Sequence, residues 1–480
     1  MTGASTTERE SFAYERIVRA ITSSIAAGTL RPGDRLPSIR RMSVEWGVSM
    51  PTVVRAYRVL EARRLVQARA RSGIYVAPKT DDRRIRRDLE TPLRTASEIA
   101  TSDLIMRFLE LAADPDLVPL GTALPDPALL PTGTLARLLG RTARRHALRS
   151  AAMSPPSGAP ELRHEVARRA LQPGRGVTAD DVVITCGCAE ALALCLRALT
   201  RPGDTVAIEC PTYYGTIQAL DVLGLKALEI PVDPELGISL EHLELALERG
   251  GIAAVVVTPN VHNPLGCVMP DGRKGALVDL LGAHGVPAVE DETYADLAYA
   301  SARPRSLQAF DPEGRILSCG SFSKTLAPGY RIGWTIPRGH RDAVLHAKLA
   351  TTAGTPVPPQ LALAEFLASG RYDPHLRRMR QIFEQNVHRL CYEIVDRLPE
   401  GTLVSRPAGG FLLWVRLPGE LDSVELQRRA MSRGLSIAPG PAFSASGGFR
   451  SCIRINAGYP WSDRVERALD GLADLIREMS

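Results

Sequence analysis

Apolar positions in the first eighty residues recur at helical spacing. Ile17, Ile21 and Ile25 lie four apart with Val18 beside them, which predicts an amphipathic helix from Tyr14 to Ala27 that Gly28 closes. Arg31-Pro32-Gly33-Asp34 reads as a turn, and Ser38 caps a second helix opened by Leu36-Pro37. After the tight turn Gly47-Val48-Ser49, a third helix runs from Pro51 to Ala62, because proline is tolerated only in a first turn. Val53, Tyr57 and Leu60 form its inner stripe, and Arg55, Arg58, Arg63 and Arg64 stay outside. Two short strands follow, Leu65 to Arg69 and Ile74 to Ala77, around Ala70-Arg71-Ser72-Gly73.

The pattern then changes. From Pro78 to Glu90 charges of both signs mix with little apolar periodicity, as in an exposed tether, and Ser102 to Ala113 is helical again. Beyond Leu120 continuous apolar runs alternate with helical stretches. Val182–Thr185, Thr205–Glu209, Ala253–Val257, Pro287–Asp291 and Ile316–Gly320 read as buried strands of a mostly parallel sheet. Such a sheet carries its functional residues at strand ends.

Composition adds a division of charge. Residues 1–80 hold 14 Lys+Arg against 6 Asp+Glu, or +8; the whole chain is +6, so the remainder is −2. The basic surplus sits in the segment with the helix, helix-turn-helix, hairpin order, an order that reads DNA. Eight scattered cysteines fit reduced thiols and a cytoplasmic setting, and no second ligand pair suggests a metal. No apolar run approaches the ~18 residues of a membrane span.

Chemistry concentrates in Ser321-Phe322-Ser323-Lys324, followed by Gly329, Arg331 and an apolar strand-like run. An isolated Ser-x-x-Lys is usually a surface loop. Here lysine, hydroxyls, glycine and arginine stand together, which suits a lysine amine that condenses with an aldehyde cofactor while Ser321 and Arg331 hold its phosphate. Gly187, between a strand and a helix, offers backbone N–H groups to an anion. A pyridine ring nitrogen needs a carboxylate to stay protonated. Asp291 suits that role, with Glu290 and Glu292 open by composition. Asn263 and Tyr294 are donors for a phenolic oxygen, and Tyr213 offers an aromatic face.

Two resemblances carry these readings further. Leu36-Pro37-Ser38-Ile39-Arg40, Gly47-Val48-Ser49-Met50-Pro51-Thr52-Val53 and the wing Arg69, Ser72, Gly73 resemble the winged helix of GntR-type transcription regulators over about residues 12–77. That resemblance implies DNA contacts by Ser38, Arg40, Ser49, Thr52 and Gly73, although Met50 stands where the family usually has arginine. Residues 115–478 resemble fold type I, pyridoxal-phosphate-dependent aminotransferases, an α/β fold with a smaller C-terminal α/β subdomain. This implies Lys324 as the lysine that carries pyridoxal phosphate as an aldimine. Gly187, Cys188 and Ala189 become the phosphate loop, with Ser321, Ser323 and Arg331 around it. Arg454 becomes the residue that binds a substrate carboxylate. Cys188 and Ala189 replace hydroxyl or amide residues common in that loop, and Met153 replaces a tyrosine that reaches the neighbouring subunit's phosphate site.

Together these parts resemble the MocR subfamily of GntR-type regulators. The expected organisation is a DNA-binding domain at 1–80, a charged linker at 81–110 and an aminotransferase-like domain at 111–480. The expected protein is a homodimeric regulator that binds operator DNA and senses an amino compound or the cofactor itself. The alternative is a working aminotransferase with a secondary DNA-binding head.

Overall fold

The structure, a computed structural model, describes residues 6–62, 65–69, 73–77, 85, 95–112, 114, 116–174 and 176–480. The wing tip Ala70-Arg71-Ser72, the basic pair Arg63-Arg64 and the tether charges Arg83, Arg84, Arg86 and Arg87 lie outside the described residues. The chain divides into two compact units: Met1–Arg83 with Val387–Leu398, and Arg84–Asn386 with Pro399–Ser480.

In the first unit the elements are α1 (Thr6–Ala26), α2 (Ile39–Trp46), α3 (Met50–Ala62), β1 (Val66–Arg69) and β2 (Gly73–Val76). The predicted stripes are the core: Ile17, Val18, Ile21 and Ile25 meet Val53, Tyr57, Leu60, Val66 and Val76. Ser38 caps α2 by accepting from the Arg41 N–H at 3.2 Å, and Gly47 ends it at φ +62°. The Tyr57 hydroxyl donates to the Pro37 carbonyl at 2.7 Å, pinning α3 to the start of α2. β1 and β2 pair antiparallel from Val66↔Val76 to Arg69↔Gly73.

The second unit is built on eight strands: β3 (Val183–Thr185), β4 (Thr205–Cys210), β5 (Lys226–Asp233), β6 (Gly237–Ile238), β7 (Ile252–Val257), β8 (Ala288–Asp291), β9 (Ile316–Ser321) and β10 (Gly333–Ile336). Their order is β3-β10-β9-β8-β7-β4-β5-β6. β5, β4, β7, β8 and β9 are parallel, as their apolar runs require, while β10 is antiparallel to both neighbours. A smaller sheet, β11 (Leu403–Val404), β12 (Leu412–Arg416), β13 (Ala438–Pro439) and β14 (Cys452–Asn456), has the order β11-β12-β14-β13. Arg454 is therefore in an inner strand and not on an edge.

The expected linker 81–110 is too long. Helix α4 (Ser102–Ala112) buries Ile105 and Phe108 beside Leu220 and Phe443. Ser97 bridges Ala227, and the Ala100 N–H donates to the Ala445 carbonyl at 3.1 Å. Two large apolar side chains in the helix make docking more favourable than exposure. Among the described residues no helix is long and apolar enough to cross a membrane.

Candidate cofactor site and nucleic-acid interface

The strand ends of the large sheet converge on one cavity of about 90 Å3. It is lined by Cys188, Ala189, Tyr213, Asn263, Asp291 and Tyr294 and, from the Lys324 stretch, by Ser321, Ser323, Lys324 and Arg331. Leu124, Thr258 and Thr293 complete it and were not singled out by sequence.

The lysine is set up as a nucleophile. Its Nζ donates to the Ala123 carbonyl at 2.9 Å and stands 5.7 Å from the Tyr294 ring centre. Burial, and next the positive Arg454, pull its pKa down from 10.5 to about 8. An appreciable fraction is then neutral amine near neutral pH, which an ordinary lysine lacks.

Asp291 ends β8 at 9% exposure. Its Oδ1 accepts from the Thr293 N–H at 2.8 Å and from the Cys188 thiol at 3.5 Å. Burial raises its pKa, opposed by those bonds and by Lys324. The two neighbouring carboxylates are engaged elsewhere. Glu290 accepts from Ser306, the Leu307 N–H and Ser318, and Glu292 pairs with Arg303 at 3.1 Å. Only Asp291 of the three lines the cavity.

A polar cup lies at the start of helix Cys188–Leu199. Its N-cap Gly187, at φ +88° and ψ +173°, provides no side-chain cap, so the first N–H groups are left for an anion. A Cβ on Gly187 would stand 2.5 Å from Arg331 Nη2, so only glycine lets the guanidinium reach this place. Arg331 donates to the Cys186 carbonyl at 3.4 Å and to Ser323 Oγ at 3.5 Å, and Ser321 Oγ donates to Ser323 Oγ at 2.7 Å. Behind the cup Glu190 accepts from the Cys186 N–H at 2.5 Å and pairs with buried Lys348 at 3.2 Å. Cys186 is thus gripped at both its N–H and its carbonyl, which fixes the turn that presents Gly187. Backbone donors, two hydroxyls and a guanidinium are the donor set of a phosphate monoester site.

Tyr213 follows β4, its ring 4.7 Å from that of Tyr214, and a Cβ on Gly215 would meet it at 2.3 Å. Tyr294 donates to the Ala123 carbonyl at 3.4 Å. Arg454 is fully buried; its Nη1 donates to Asn263 Oδ1 at 3.2 Å and its Nη2 to the Gly121 carbonyl at 2.8 Å, while Nε has no partner. Arginine has no acceptor, so the Asn263 oxygen faces it and the amide NH2 is left for the cavity that Asn263 lines; Arg454 itself lies behind that lining. A buried guanidinium with an unmet N–H and no ion pair among the described residues calls for an anion.

In the first unit Arg40 and Ser49 are exposed, and Met50 is 55% exposed at the start of α3. Thr52 is buried at 6%, its hydroxyl 2.8 Å from that of Ser49, so it backs Ser49. Ser38 is exposed but occupied as a cap. Gly73, at φ +129°, leaves room for Arg35, whose Nε would lie 2.9 Å from a Cβ there.

Comparison with known proteins fits both units. Residues 13–76 match the model of bacterial regulatory proteins of the gntR family, and residues 130–472 match aminotransferase class I and II. The uncharacterized HTH-type transcriptional regulator YjiR of Escherichia coli is 39% identical over 96% of this chain and 98% of its own length. The chain belongs to the GntR-type regulators that carry an aminotransferase class I and II domain. This is the MocR architecture. A second member in Escherichia coli, the uncharacterized HTH-type transcriptional regulator YdcR, is 37% identical over 97% of this chain and 99% of its length. Among solved structures, LysN, an α-aminoadipate aminotransferase from Thermus thermophilus complexed with N-(5'-phosphopyridoxyl)-L-leucine, superposes with a TM-score of 0.72. It is 27% identical, covering 78% of this chain and 94% of that one.

Proposed function

We propose that the chain is a pyridoxal-phosphate-dependent, DNA-binding transcription regulator whose large domain senses an amino compound or the cofactor. The observation that supports this reading is that ten of the eleven expected cofactor residues, all but Gly187, line one cavity in a chain whose residues 13–76 match the gntR family. When bound, pyridoxal phosphate supplies an aldehyde for amines and an electron-withdrawing ring. Lys324 is the amine that holds it and exchanges it with an incoming amine. Gly187, Cys188 and Ala189 offer backbone N–H groups to its phosphate, with Ser321, Ser323 and Arg331. Asp291 keeps a proton on the ring nitrogen, Asn263 and Tyr294 donate to the ring oxygen, and Tyr213 covers a face. Arg454 receives the carboxylate of an amino-acid effector. In the head, Ser38, Arg40, Ser49 and Gly73 face DNA, with Thr52 behind Ser49.

The organisation we propose keeps the DNA-binding domain at 1–80 and starts the large domain before α4. The protein works in the cytoplasm as a homodimer on paired operator sites. Leu148 and Met153, 90% and 81% exposed, are apolar surface that a second copy would cover. A second reading, an active aminotransferase, is favoured by Lys324 with a pKa of about 8 beside Asp291 and Arg454.

The test measures operator affinity without cofactor, with it, and with an added amino acid, in wild type and Lys324→Ala. A sensor shifts by roughly 5–150-fold between ligand states, and the variant loses any shift that needs the lysine. Equal affinity in every state, with brisk amine transfer, would establish the aminotransferase instead.

A further inference from the structure

A second cavity, of about 350 Å3, lies between the ends of β4 and β5 on one side and β12 and β14 on the other. It shares no lining residue with the cavity of Lys324 and is the larger, about 350 Å3 against 90 Å3. It falls within the range of small-molecule sites, roughly 300–1,000 Å3. Pro211, Pro231, Leu265, Trp414 and Phe449 give it apolar walls. The Trp414 and Phe449 rings meet edge to face at 5.8 Å and 82°.

The charges at its edge are unequally matched. Glu229 is 6% exposed, and its carboxylate accepts from Ser444 Oγ, the Ala445 N–H and Ser446 Oγ at 2.7, 2.7 and 2.6 Å. Arg450 is paired with Asp422. Arg416, exposed at the end of β12, makes no ion pair among the described residues. An apolar chamber with an unpaired guanidinium at its rim suits a molecule with an apolar body and one carboxylate.

We propose that this cavity is a second ligand site, for an apolar-bodied monocarboxylate held by Arg416 and by the aromatic pair Trp414–Phe449. Ile85 also lines it, and its N–H donates to the Val404 carbonyl at 3.4 Å. Occupancy therefore touches Ile85 as well as both sheets. The inference is independent of the Lys324 reading and stands if that reading fails.

The experiment titrates full-length protein, with pyridoxal phosphate present, against 4-phenylbutyrate, its amide and 4-phenylbutylamine, following tryptophan emission and calorimetric heat. The acid should bind tightest and saturate equally in wild type and Lys324→Ala. Arg416→Gln should weaken the acid by roughly 10–150-fold and leave the amide nearly unchanged, the size of a lost charge-assisted hydrogen bond. Trp414→Phe should keep the heat and lose the emission change. Leu265→Trp, which fills the chamber, should abolish binding of all three. Preference for the amine, acid binding unaffected by both Arg416→Gln and Leu265→Trp, or no saturation within the probe's solubility would each overturn the proposal.

Discussion

Gly187→Ala tests whether the cup at the start of helix Cys188–Leu199 holds a phosphate. At φ +88° and ψ +173° the backbone lies in a region that is essentially glycine's alone, and a non-glycine residue there costs about 1–3 kcal/mol. The new Cβ would also stand 2.5 Å from Arg331 Nη2 and 3.0 Å from Cζ, so the guanidinium must leave. Arg331 is exposed and has room to swing away, so the fold survives while the cup loses its cation. A hydrogen bond to a charged group is worth about 1.5–3 kcal/mol, or roughly 10–150-fold in affinity. The assay is an absorbance titration of the cofactor-free protein with pyridoxal phosphate and, in parallel, with pyridoxal, which lacks the phosphate. Affinity for the phosphorylated form should fall by about that factor, affinity for pyridoxal should barely move, and the melting temperature should drop. A variant that binds pyridoxal phosphate as tightly as wild type would refute the placement of the cup. An equal loss for both compounds would show that the alanine distorts the ring site instead.

Two further expectations can be measured directly. Labelling of Lys324 by an amine-reactive reagent should rise with pH around an apparent pKa of about 8 rather than near 10.5. Because the folded pKa is the lower one, the folded state binds fewer protons between those values, so the contribution of Lys324 to stability rises with pH from about 8 to 10.5. Labelling that follows an ordinary lysine would contradict the burial argument. Arg40→Ala should cost about 1–3 kcal/mol of operator affinity and relax one base position if Arg40 reads a base. An even loss across sequences, with a shallower salt dependence, would mark a phosphate contact.

The sequence made the central strands legible because strands buried on both faces leave long apolar runs, and polar residues that follow such runs stand at strand ends. Asp291, Ser321 and Tyr213 were readable on that ground. β5 was not. Its run contains Glu229, a buried carboxylate matched by Ser444 and Ser446, more than two hundred residues away. No local pattern announces such a partner. The Ala123 carbonyl that holds Lys324 is backbone, and backbone acceptors carry no residue signature. The Glu190–Lys348 pair that backs the Cys186 turn joins helices far apart in sequence. Mixed charge marks a tether before α4, but Ile105 and Phe108, whose burial binds α4 to the large domain, end it sooner than charge alone implies. The GntR-type resemblance implies a DNA contact by Thr52, whose side chain helical spacing turns inward beside Val53 and Ala56.

The unmatched charge of Arg454 reaches beyond whatever it holds. Its field is among the causes that keep Lys324 reluctant to take a proton. A visitor that brings a negative group to Arg454 cancels that field, so the free lysine becomes more basic at the moment the site fills. Arrival of the anion and uptake of a proton are then two faces of one equilibrium, and each must strengthen the other by the same factor. A cavity built this way would distinguish an amino acid from a plain amine by the acidity of its own lysine, before any bond is exchanged.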